Sequence, residues 1–149
     1  MNYIKTVVNK LVKQYATSDP YELASNLKIK VIIDKMPLSI RGFYSNVMSM
    51  GFIYLNCELH EIDRKIVCAH ELGHAMLHPC ANSLFLSRNT FVLPSKLELQ
   101  ADIFAANLLV SDNVLNEYSD ETVTLDALSA ELNLPIWLLE LKYNSTKTI

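Results

Sequence analysis

Apolar residues recur at helical spacing from the start of the chain. Ile4, Val7, Val8, Leu11, Val12 and Tyr15 fall on one face and predict an amphipathic helix over 3–16. Ser18, Asp19 and Pro20 mark a stop and a restart. Asp19 can cap, and Pro20 can take the first position of a short helix over 20–27. The period then changes. Lys-Ile-Lys-Val-Ile-Ile-Asp over 28–34 reads as a strand. Segments 40–44 and 51–56 read as two more, joined through 45–50. Three strands this close in sequence predict a small, mainly antiparallel sheet. From residue 61 onward the pattern is helical. A helix over 61–78 is ended by Pro79, a loop covers 79–94, and a second long helix runs over about 95–110 with Ser95 as its cap. Shorter helices are expected near 112–118, 124–133 and 135–143. The order of helices, sheet and helices is that of an α+β fold in which the sheet packs on several helices, the one over 61–78 being central.

Length adds that 149 residues fit one domain, 1–149, with a C-terminal helical segment at about 112–149. Half the residues are apolar and 19% are charged, a globular composition. The net charge of −3 supports no sequence-independent grip on phosphates. No signal-like apolar run follows Met1, and no stretch approaches the roughly 20 apolar residues of a membrane span. The expected location is the cytoplasm, with no membrane partner. Cys57, Cys68 and Cys80 are odd in number and lack a C-x-x-C pair, so they read as reduced, buried thiols.

Candidate chemistry concentrates at His70-Glu71-Leu72-Gly73-His74. Histidines four apart lie one turn apart on one helix face and can share a metal ion. The intervening Glu71 can take a proton from a metal-bound water. At about 100° per residue, Ile62, Ile66, Ala69, Gly73, Met76 and Leu77 form a stripe expected to face the core, with His70 and His74 at its rim. Glycine inside a helix costs roughly 1 kcal/mol relative to alanine, so Gly73 on that stripe implies a close-packed neighbour. His78 continues the row, but two turns carry it about 12 Å from His70 along the axis. It reads as a helix-end or supporting group rather than a third ligand.

A catalytic zinc needs a third protein ligand and an open position for water. Glu98 and Asp102 lie four apart on one face of the second long helix. Glu98 can ligate the metal, and Asp102 can hold a ligand histidine's other ring nitrogen. Ala105, Ala106 and Leu109 follow on that side, while Leu97, Ala101, Phe104 and Leu108 make a second apolar face. A helix with two apolar faces is sandwiched, and a buried Glu98 there requires a partner such as a metal.

These segments, with Asp19-Pro20-Tyr21-Glu22-Leu23-Ala24 and Gly42-Phe43-Tyr44, resemble the ImmA/IrrE family of metallopeptidases in order and spacing over roughly 19–109. The resemblance implies a zincin-like α+β fold, zinc on His70, His74 and Glu98, and Glu71 as general base. It also implies a protein substrate: a helix-turn-helix repressor of a phage or mobile element, whose cleavage switches repressed genes on. The chain departs from the family in two places. Gln100 stands where a second acid is usual, which favours Glu98 as the ligand. Val110-Ser111 replaces a usual Met-Pro.

Two other readings compete. Segment 125–143 resembles a helix-turn-helix, but residues 120–149 carry only Lys142 and Lys147 against Asp120, Glu121, Asp126, Glu131 and Glu140. A DNA-binding version is expected to be basic, so direct nucleic-acid binding is not expected. The other alternative is a metal-bound regulator that binds a repressor or DNA with little peptidase activity. As a peptidase, the chain is expected to lay its substrate along a sheet edge, with the strand over 51–56 as the candidate. Tyr44, Tyr54 and His78 are the candidates for steadying the oxyanion.

Overall fold

A computed structural model describes residues 2–79, 94–117 and 124–147 of the chain. Cys80 and nearly all of the loop expected over 79–94 lie outside the described residues. Helix α1 spans Asn2–Tyr15, and its expected stripe buries Ile4, Val8 and Leu11. Helix α2 spans Pro20–Asn26 and starts as its residues dictate. Asp19 is the N-cap, and its carboxylate accepts from the Tyr21 and Glu22 N–H groups at 2.9 and 3.1 Å. The chain reverses at Lys28, which has a φ of 61°.

Strands β1, β2 and β3 span Lys30–Asp34, Gly42–Val47 and Met50–Asn56. The α+β class is as expected, and the sheet is mixed. β2 and β3 form the antiparallel hairpin, whereas β1 pairs parallel with β3, giving the order β1-β3-β2. The cause is the 35–41 connection, which carries the chain past β3's place to its far side. Asn56 pins that connection: its side-chain amide donates to the carbonyls of Met36, Pro37 and Ile40. β3 is therefore central and paired on both sides. It offers no edge to a substrate, which corrects the expectation placed on 51–56.

Helix α3, Glu61–Leu77, lies between the sheet and helix α4, Pro94–Leu109. Helix α4 starts at Pro94, one residue before the expected start at Ser95. Proline suits this position, where no N–H is needed. Packing on two sides buries most of the α3 surface from Ile66 to Ala75. The expected stripe is thus too narrow, and at its N-terminal end it is wrong. Ile62 is exposed, while Val67, Cys68 and Leu72 are buried. Two glycines permit the sandwich. A Cβ on Gly73 would meet the Ala101 Cα and Phe104 Cβ of α4 at 3.1 Å. A Cβ on Gly42 would stand 2.7 Å from Val67 Cγ1 and from the Tyr54 carbonyl. Alanine at position 42 would therefore push β2 off α3.

Helices α5, α6 and α7 span Asp112–Glu117, Leu125–Leu132 and Ile136–Lys147. Helix α7 packs on α4 through Leu138 and Leu139, both fully buried. Lys142, also buried, fixes it further, with Nζ 2.6 Å from Asp112 Oδ1 and 3.0 Å from Asn107 Oδ1. Lys5 of α1 reaches Asp112 at 2.9 Å, so one carboxylate ties the two ends of the chain together. Of the cysteines, Cys68 is buried, and burial pushes its thiol up to about 12. Cys57 is exposed, contrary to expectation, because it follows β3 into a turn. Among the described residues no helix is long and apolar enough to cross a membrane.

Candidate metal centre

Helices α3 and α4 bring His70, His74 and Glu98 to one point. The two Nε2 atoms are 3.1 Å apart. Glu98 spans them, with Oε2 3.2 Å from His70 Nε2 and Oε1 3.4 Å from His74 Nε2. On the other side of the His70 ring, Nδ1 is 2.8 Å from Asp102 Oδ1. With a ring proton on Nδ1 donated to Asp102, Nε2 is the nitrogen left to meet a metal between His74 and Glu98.

A tetrahedral zinc with bonds of about 2.0–2.1 Å sets its ligand atoms about 3.3–3.4 Å apart. The observed separations fit that triangle, and the nitrogen and oxygen donors suit zinc chemistry. Burial opposes charge on His70, but the hydrogen bonds to Asp102 and Glu98 outweigh it and raise its pKa to about 10. The two histidines hold the Glu98 carboxyl far below the usual carboxylate range. Both shifts arise from the pairing of imidazole with the Glu98 and Asp102 carboxylates.

Glu98 differs from expectation in one respect. Its side chain is 53% exposed, because it stands at the open side of the cleft rather than inside the helix sandwich. Glu71 is the buried acid, at 5% exposure. Burial raises its pKa, against the pull of His70 and His74. One carboxylate oxygen takes the Tyr44 backbone N–H, and Oε2 is buried with no hydrogen-bond partner among the described residues. A carboxylate held on one oxygen and open on the other is suited to meet a water.

His78 follows α3 as its C-cap, with its N–H bonded to the His74 carbonyl at 2.8 Å. Its ring centroid is 5.8 Å from that of His74. Burial lowers its pKa, opposed by hydrogen bonding to the Leu97 backbone beside Glu98. It thus joins the end of α3 to the turn that carries Glu98, and it is not among the three converging groups. Of the proposed oxyanion donors, Tyr44 is buried beneath the sheet. Tyr54 stacks on Phe43 at 4.6 Å on the opposite sheet face, away from the cleft.

The cleft over the site encloses about 370 Å³. It is lined by Arg41, Gly42, Ile66, Val67, His70, Glu71, Glu98, Asp102 and Trp137. Arg41 and Trp137 were not singled out from sequence. Arg41 precedes a strand and carries no motif. Trp137 had one available signal: 136–141 is apolar at every position but Glu140, so one large side chain had to remain outside the core.

The α+β fold is that of a small zincin-like domain, and its HExxH helix and the next helix bring together three groups that could hold a metal ion. The chain belongs to the Peptidase M78 family, whose IrrE N-terminal-like domain model matches residues 24–140. It is 41% identical over 139 residues to "Uncharacterized immunity region protein 2" of Bacillus phage phi105, covering 93% of this chain and 88% of that protein. It is 29% identical over 143 residues to "Metallopeptidase ImmA" of Bacillus subtilis (strain 168), covering 93% and 83%.

Proposed function

We propose that this metallopeptidase is a zinc-dependent endopeptidase that cuts a helix-turn-helix repressor of a phage or mobile element, acting in the cytoplasm as one domain. The observation that carries the enzymatic part is the convergence of His70 Nε2, His74 Nε2 and Glu98 beside the half-satisfied Glu71 carboxylate. The repressor as substrate is supported by the similarity to a phage immunity region protein and to an ImmA metallopeptidase.

The ligands would be His70, His74 and Glu98, with Asp102 orienting His70. Zinc held there supplies a Lewis acid for the scissile carbonyl and lowers the pKa of water toward 7. Glu71 takes the proton of the attacking water on its open oxygen and passes it to the leaving amine. The Tyr44 N–H keeps the other oxygen in place during both transfers. The substrate lies extended along β2, an edge strand of the sheet. The Arg41 carbonyl accepts from the Asn56 N–H, so alternate residues of β2 bond to β3; the Gly42 backbone points away from β3 toward the substrate, while the Tyr44 N–H is held by Glu71.

The test is cleavage of candidate repressors, followed on a gel before and after chelation. Cutting is expected to stop when the metal is stripped and to return when zinc is added. Cutting that survives complete metal removal would contradict the reading.

A further inference from the structure

We infer that Trp137 is a specificity-determining residue, whose indole walls the side-chain subsite next to the scissile bond and selects a large apolar residue there. This deepens the peptidase reading and rests on it.

Trp137 belongs to α7, which supplies nothing else to the cleft. It is held there firmly. Leu138 and Leu139 beside it are fully buried, and Lys142 one turn on is clamped by Asp112 and Asn107. Trp137 itself remains 41% exposed while lining the same cleft as His70, Glu71 and Glu98. A fixed, half-exposed indole facing reacting groups is costly to leave in water and favourable to cover with apolar surface.

The rest of the lining agrees. Glu98 and Asp102 are engaged by the histidines, and Arg41 is paired with Asp63 at 3.3 Å. The contacts left for a substrate side chain are chiefly the indole, with the small exposed parts of Ile66 and Val67 and the Gly42 backbone beside it. Ile66 also lines a smaller hollow of about 210 Å³ with Ile62, Leu109, Leu132 and Leu134, beside Ser18 and Lys65, so a mainly apolar lining continues along α3 toward the α6–α7 turn. A charged residue placed against these groups would lose hydration with nothing to replace it.

The test uses full-length protein and internally quenched peptides of one backbone, with Phe, Leu, Ala, Asp or Lys at the position beside the cut. Wild type is expected to favour Phe and Leu over Asp and Lys by more than about tenfold in kcat/KM, a contrast typical of a hydrophobic pocket. W137A is expected to lose that preference, mainly through KM, with zinc content unchanged. W137F is expected to retain most of it. An unaltered profile in W137A overturns the inference. Failure of the peptidase reading shows separately, as no cutting of any peptide by wild type. The subsite is then judged by binding. Trp137 is the chain's single tryptophan, so its emission reports on this position alone. Phe peptides are expected to shift it to the blue in the Glu71→Gln protein and Asp peptides to leave it unmoved. No shift with the Phe peptides overturns the inference.

Discussion

Glu71→Gln is expected to fold, bind zinc and bind its protein target, yet cut that target about 10²- to 10⁴-fold more slowly than wild type. The substitution keeps the side chain's shape and one oxygen. The amide can still accept the Tyr44 N–H, so the α3–β2 contact survives. It cannot take a proton from water. Burial also makes the neutral amide cheaper than a carboxylate at this 5% exposed position, so stability is expected to hold or rise. Parallel zinc analysis and gel-followed cleavage check this. Equal cutting rates in the two proteins would remove Glu71 from the reaction.

The second large effect is expected at Glu98. Glu98→Gln removes the anionic ligand and is expected to weaken zinc binding by more than about 100-fold. Asp102→Asn keeps all three ligands and disturbs only the bond that orients His70, a change that typically costs about 10- to 100-fold. Titration against a chelator of known affinity ranks the two. The order follows from geometry, since Glu98 spans both Nε2 atoms while Asp102 meets only Nδ1 on the far side of one ring. If Asp102→Asn loses the metal and Glu98→Gln keeps it, the two roles are reversed.

Both residues were legible in the sequence because spacing along a helix translates directly into position on its face. The same rule exposed the 70–74 motif, and local capping chemistry exposed the start of α2 at Asp19. What was not legible depends on how distant segments meet. Strand pairing is one case. The pattern of 28–34 and 51–56 revealed strands, but only the route of residues 35–41 decides that β3 lies between its neighbours. The proposed substrate edge is consequently β2 rather than β3. The surroundings of α3 are another. A single-stripe reading assumes one buried face, whereas packing between the sheet and α4 buries Val67, Cys68 and Leu72 and leaves Ile62 outside. Trp137 reaches the cleft only because α7 folds back on α4, a helix that ends well before α7 begins in the sequence.

The position of Gly73 joins the legible and illegible parts. Its place within the motif predicted a close neighbour, and the neighbour is the Ala101 backbone, about one turn after Glu98 and next to Asp102. A close contact of α3 with α4 therefore lies level with His70, His74 and Glu98, the three converging groups.

The central claim is that His70, His74 and Glu98 hold one zinc ion. Metal analysis of the purified protein, beside the His70→Ala/His74→Ala double variant, tests it most directly. About one zinc per chain is expected in wild type and none in the variant, since neither ring remains to meet Glu98. A double variant that is folded and retains its full complement of zinc would contradict the account.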